Sequence, residues 1–298
     1  MSYTTTEYLD AVKVRGMIPT TQNTFTTARL LALGDQAIQS YLVPRILKSK
    51  QGYYEYDIDT ALNSTGVYNI SRRAMGGKLI NASLILGTTK EDCDWIDEDN
   101  LFETDKSPTG RPSIYLKRNQ VILVPPATGH TYFRQTIPLR PGILVATSSA
   151  AQIVSINTGT KTLTFTSGTI PSTFTSSLTY DLIQDKPHFD HLAIDQIVTS
   201  VTSTTMVFQD TLPERLAVGD WVSIAEQSPV VQIPVELQPL LYQKVSNTCL
   251  RSHGFNQKAD NGEKELADME REVWPAYISR IEKEGKKLVP RNGLLRRQ

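Results

Sequence analysis

The hydrophobic period of this chain changes twice, and that change limits the folds open to it. Both ends repeat apolar residues at three- and four-residue steps, as an amphipathic helix does. The middle, from about residue 53 to 233, consists of short runs of Thr, Val, Ile and aromatic residues. Gly, Pro, Asn and Ser break these runs, as they do between strands. An amphipathic helix cannot bury its apolar stripe alone. The helices at each end are too few to make a bundle by themselves. The pattern therefore predicts an α+β fold: a helical bundle formed by the N- and C-terminal helices, with a large antiparallel β domain inserted. The helical base comprises residues 1–50 and 234–287, the insertion residues 51–233, and a basic tail residues 288–298.

Within the base, a short helix over residues 6–15 ends at Gly16. A longer one, capped by Thr26 or Thr27, carries Leu30, Leu31, Ala37, Ile38, Tyr41, Leu42 and Ile46 on one face. Pro44 should kink it. A third helix runs to Gly254 as the residue just beyond its end, with Leu237, Leu240, Leu241, Val245 and Cys249 inward. A fourth starts near residues 256–260 with Leu266, Met269, Val273, Tyr277 and Ile281 on its apolar face and Pro275 as a kink. Its acidic start and lysine-rich end suit the helix dipole.

Within the β region, SIYLK, a turn at Arg118-Asn119, QVILV, the stop Pro125-Pro126 and TYFRQTI read as a hairpin or meander (residues 110–141). Weak helical periodicity covers residues 72–81. Residues 152–184 and 196–226 resemble each other: QIV in both, Leu163-Thr164-Phe165 with Met206-Val207-Phe208, Ile170-Pro171 with Leu212-Pro213, and Tyr180–Ile183 with 219–222. Each copy reads strand, turn, strand, proline turn, strand. Duplication and chance similarity between Thr-rich strands account for this equally well. Two copies are too few for a solenoid and predict one small barrel or sandwich.

The chain has 298 residues, 31 Lys or Arg and 31 Asp or Glu, so its formal charge is zero, against the basic bias of a dedicated nucleic-acid binder. No signal peptide opens it and no apolar run would span a bilayer, so no membrane partner is expected. Cys93 and Cys249 read as reduced thiols, Cys249 in a helical core. No phosphate loop, nucleophile elbow or cofactor motif occurs, and no cofactor is expected. His188, Asp190, His191 and Asp195 form the one cluster that suggests a metal; a solvated polar loop between the repeats accounts for it better. His130 reads as a turn residue, and His253 as a helix-terminal residue. The acidic run of residues 91–105 reads as a solvated surface rather than acid–base machinery, which needs burial.

The segments YYEYDID, YNISRRAMGGKL, GRPSIYLKRNQVILVPP, QIVS…YDLI, VGDWVSI and SPVVQIPVELQPLLYQKVSNTCL, in this order, resemble the head-to-tail adaptor, or head-completion, proteins of short-tailed bacteriophages. The similarity spans nearly the whole chain; Ser71 stands where the family often has proline. The resemblance implies a virion structural protein at the capsid–tail junction, made in the host cytoplasm, and not an enzyme. It implies a dodecameric, homo-oligomeric ring beneath the portal protein that meets the tail nozzle or other tail proteins and lets double-stranded DNA pass. It assigns the tail to the portal side, through Leu288, Val289, Pro290, Arg291, Leu294, Leu295, Arg296 and Arg297. Tyr115, Lys117, Arg118, Tyr132 and Arg134 would face a neighbouring subunit or the tail. The alternatives are another tail component (nozzle, tube terminator or baseplate protein) or a cell-wall-degrading or glycan-binding tail protein.

Overall fold

A computed structural model describes residues 4–19, 24–96, 112–127, 129–185 and 190–279. The fold is α+β, with helices at both ends and the β region between them. The N-terminal helices are α1 (Thr5–Arg15), α2 (Thr27–Ala37) and α3 (Val43–Ser49). Thr26 caps α2, its side chain accepting from the Arg29 N–H at 3.3 Å. The single kinked helix expected here is instead α2 and α3 joined by a π-helical turn, Ile38–Leu42. Pro44 offers no N–H, and its ring collides with the carbonyl four residues back. The widened turn accommodates that fault and keeps Ile38, Leu42 and Ile46 on one buried face.

The C-terminal helices are α4 (Gln238–Ser252) and α5 (Asn256–Ser279). Gly254, at φ +82°, ends α4 as expected. Its N–H reaches the Arg251 carbonyl, and the Phe255 N–H reaches that of Leu250, which closes the last turn of the helix. Pro275 lies inside α5. The helices share one core, in which Tyr8, Leu30, Ile46, Leu241 and Cys249 are buried together. Two glycines set close approaches. Gly34 leaves room for Tyr8, whose hydroxyl donates to the Leu30 carbonyl at 2.8 Å; Gly262 lets α5 lie on Asn247 of α4.

The β region holds two further cores. The first is a sandwich of two four-stranded sheets. One has the order β1-β8-β3-β4, from β1 (Glu55–Ala61), β3 (Asn81–Leu86), β4 (Thr89–Asp92) and β8 (Tyr132–Pro138). The other is β2-β7-β6-β5, from β2 (Val67–Asn69), β5 (Asp94–Trp95), β6 (Ser113–Lys117) and β7 (Gln120–Val124). Tyr68 of one sheet stacks on Phe133 of the other, centroids 4.3 Å apart. The hairpin turn falls at Arg118-Asn119 as expected, with Arg118 at φ 57°. The meander does not continue, because β8 joins the opposite sheet between β1 and β3. Pro125-Pro126 supplies no N–H with which to extend the ladder, so the chain leaves the sheet there. The weak helical pattern over residues 72–81 yields a short turn, Met75–Gly77, with both glycines at positive φ.

The second core is a closed barrel of order β10-β11-β14-β13-β12-β15. Its strands are β10 (Ala151–Asn157), β11 (Thr162–Phe165), β12 (Thr179–Ile183), β13 (His191–Val201), β14 (Thr205–Phe208) and β15 (Trp221–Ile224). The first three come from one repeat and the last three from the other. Exchanging the two sets leaves the order of the ring unchanged, an internal pseudo-two-fold. Leu163 pairs with Met206 on that axis, flanked by Thr162–Val207 and Thr164–Thr205. Gln196 lies opposite Tyr180 and Gln152 opposite Trp221, so Tyr180 corresponds to Trp221. The alignment of the third strands read from the sequence is therefore two residues out.

Two short parallel strands, β9 (Ile143–Leu144) and β16 (Gln227–Ser228), lead back to the base. Cys93 and Cys249 are both unpaired and buried, in different cores.

Candidate interaction surfaces

The three cores meet at a polar junction. Arg73, on the β2–β3 connection of the sandwich, reaches into the barrel. Its two terminal nitrogens donate to the two Asp181 oxygens at 2.8 and 2.6 Å. Both side chains are buried, at 2% and 0% exposure, so the pair lies out of reach of solvent screening. The carboxylate also accepts the backbone N–H groups of Asp195 and Glu226, each at 3.0 Å. Four donors on one carboxylate are what a buried charge needs to be tolerated. Nearby, the Tyr54 hydroxyl donates to the Gln232 carbonyl at 3.2 Å, and the Gln232 side chain accepts the Gly142 N–H at 2.7 Å. These bonds bind the start of β1 to the segment that returns to α4.

His191 belongs to this junction. Its Nδ1 lies 3.8 Å from Asp181, and its side chain is 5% exposed. Burial, joined by the Arg73 guanidinium, holds the imidazole down at about 4. The Asp181 carboxylate and the nearby Gln232 side chain oppose that shift. Burial likewise raises the Asp195 carboxyl, against the pull of Arg73.

The expected solvated loop holds for Asp190, which precedes β13 with its side chain 45% exposed, but is corrected for His191 and Asp195. His191 opens β13, and Asp195 sits against the buried ion pair, because this segment is the first strand of the second repeat. His188 lies outside the described residues. Among the described residues no cluster of three or more His, Cys, Asp or Glu could hold a metal ion.

A cleft of about 760 Å³ opens beside the junction, between the sandwich, the barrel and the base. Tyr53, Tyr54, Leu139 and Pro213 give it apolar walls. Its ionisable lining is Glu55, Asp57, Asp190 and Glu214 against one guanidinium, Arg215, with His191 at the inner end. Burial raises the phenols of Tyr53 and Tyr54, with Tyr277 of α5 adding to both shifts. Trp274 of α5, edge-on to Tyr277, packs against the same core as Tyr53. Neither this cleft nor the junction was legible in the sequence, since Arg73 and Asp181 lie 108 residues apart and no local motif links them.

The five residues expected to face a neighbour or the tail do not form one patch. Tyr115 and Lys117 alternate with buried Ile114 and lie on the outer face of the β2-β7-β6-β5 sheet; Arg118 is in its hairpin turn. Tyr132 and Arg134 alternate with buried Phe133 and lie on the outer face of the other sheet. The sandwich core separates the two sets, a consequence of β8 changing sheets. Arg134 is also engaged, donating to both Asp59 oxygens at 2.7 Å and to Asp57 at 3.4 Å. The residues expected to face a portal, Leu288, Val289, Pro290, Arg291, Leu294, Leu295, Arg296 and Arg297, lie outside the described residues.

Of the acidic run, Glu91 and Asp92 lie on β4, an edge strand of the sandwich. They are 38% and 58% exposed and are paired with His130 (3.2 Å) and Lys90 (3.3 Å). His130, read as a turn residue, is thus also a hydrogen-bond partner of Glu91. Residues 97–105 of the run lie outside the described residues. His253 packs edge-on against Phe25, centroids 4.8 Å apart. No helix among the described residues is long and apolar enough to cross a membrane.

No protein-family model matches this chain, and no curated protein matches it.

Proposed function

We propose that this chain is a virion structural protein of a short-tailed phage, an adaptor that forms a ring joining the portal to the tail and lining part of the DNA conduit. One observation carries the reading. The segments on which the resemblance rests converge on a single mechanical feature. YYEYDID supplies Tyr54 and the cleft wall, and YNISRRAMGGKL supplies Arg73. QIVS…YDLI supplies Asp181, and SPVVQIPVELQPLLYQ supplies Gln232. Together they fasten a two-core β arm to a helical base. Segments that built a catalytic centre would converge on a nucleophile or an acid–base pair. These converge on a joint that fixes the angle of an arm, which is what a subunit needs if neighbour contacts are to close into a ring.

In such a ring the helical base and the arm present different surfaces, one to the portal and one to the tail. The tail of residues 288–298 alternates apolar anchors with cations and suits docking on a partner surface. Co-elution with the portal protein of the same genome tests this. The full chain should form a complex that the chain lacking residues 288–298 does not, while both give the same circular dichroism spectrum. Equal portal binding by the truncated chain overturns the assignment of the tail.

A further inference from the structure

We propose that the cleft between sandwich, barrel and base is a docking site for the chain's own basic C-terminal segment, residues 286–297. Three observations bear on it. The first is charge. Four carboxylates line the cleft against one guanidinium, and Glu55 and Glu214 have no cationic partner among the described residues. Lys50 lies at one edge, over the Tyr53 ring, and Arg134 pairs with Asp57 across β1. Even so, the mouth keeps an acidic excess. Residues 286–298 carry five cations, Lys286, Lys287, Arg291, Arg296 and Arg297, and no acidic residue.

The second is position. Tyr277, two residues before the described end of α5, is buried. It meets Trp274 edge-on, centroids 5.9 Å apart, and Trp274 packs against the same core as Tyr53 of the cleft wall. The segment therefore departs from the rim of the cleft. Lys286 lies nine positions beyond Tyr277, enough to reach roughly 30 Å if extended. The third is surface chemistry. Tyr53, Tyr54, Leu139 and Pro213 offer apolar contacts for Leu288, Val289, Leu294 and Leu295, while the acids at the mouth meet the flanking cations.

Docking within one chain would cover these anchors until a partner competes for them, and raise the effective concentration of the segment at the cleft. The assignment does not depend on what that partner is. Disulfide trapping in the full-length chain tests it. One variant carries Glu214→Cys and Leu295→Cys; the reference carries Leu86→Cys and Leu295→Cys, Leu86 being exposed at the far end of β3. The native cysteines are buried and do not take part. At micromolar protein and low salt, the Glu214 variant should close an intrachain bond, by peptide mass spectrometry, at least tenfold faster than the reference. Salt at 0.5 M should remove most of that advantage, since the Debye length then shortens to below about 8 Å. Equal rates in the two variants, or bonds found only between chains, overturn the proposal.

Discussion

Replacing Arg73 by Met should loosen the β arm more than any surface change of similar size. The guanidinium is 2% exposed and gives Asp181 two of its four hydrogen bonds. Met fills much of the same volume but leaves a buried carboxylate with two backbone donors, and removes the cation next to Asp195. Breaking a buried pair from one side costs about 3–5 kcal/mol. With a urea m-value of about 2 kcal/mol/M, the midpoint of the affected transition falls by roughly 2 M. The three tryptophans report separately: Trp95 on β5 in the sandwich, Trp221 on β15 in the barrel and Trp274 on α5 in the base. In variants retaining one tryptophan each, Arg73→Met should lower the Trp95 and Trp221 transitions and move Trp274 least. Asp181→Leu alone strands the Arg73 charge. The double variant Arg73→Met/Asp181→Leu buries no charge and leaves only two N–H groups without acceptors, at about 1–3 kcal/mol each. It should therefore be less destabilised than the sum of the single variants, by at least about 2 kcal/mol. A loss under about 1 kcal/mol for Arg73→Met, or additivity in the cycle, would refute this account of the joint.

Other outcomes follow from the same packing. His191 is held near 4, below its unfolded value of 6.5, so the unfolded chain binds the proton first. Its stabilisation is complete above pH 6.5 and is lost as pH falls towards 4, by on the order of 3 kcal/mol. Asp195, raised by burial, acts with the opposite sign at the low end, as a charge that costs stability once ionised. The comparison is therefore the pH dependence of unfolding in wild type against His191→Gln, which should flatten the slope between pH 4.5 and 6.5; an unchanged slope places the transition elsewhere. Gly34→Ala should destabilise the base by about 1–3 kcal/mol despite the better helix former, because the new methyl lies 2.4 Å from the Tyr8 hydroxyl oxygen. A thermal melt showing stabilisation would contradict that contact. Gly262→Ala meets the Asn247 side chain at 2.1 Å and should also lower the melting temperature, with Asn247→Ala in the same chain restoring much of the loss.

The helices and the hairpin were legible because local chemistry specifies them. Thr26 caps α2, Gly254 ends α4, and Arg118-Asn119 closes β6 on β7 at the positions their residue types favour. The barrel was legible from repetition, since two similar three-strand units must satisfy each other's edges. What sequence order does not carry is which sheet a strand joins. Both faces of β8 alternate acceptably, and only the packing of Phe133 on Tyr68 and the pairing of Arg134 with Asp59 decide its place. The joint stayed hidden for the same reason. Arg73 and Asp181 are 108 residues apart, and nothing local marks either as buried. The π turn before Pro44 was hidden differently: proline predicts a fault in the helix but not the form its repair takes.

Native mass spectrometry of the full chain, alone and mixed with the portal protein of the same genome, tests the adaptor reading most directly. The account predicts a defined complex in which several copies of this chain, in a fixed ratio to the portal, assemble as a closed ring. The absence of any complex with the portal, whether or not the chain assembles with itself, would contradict it.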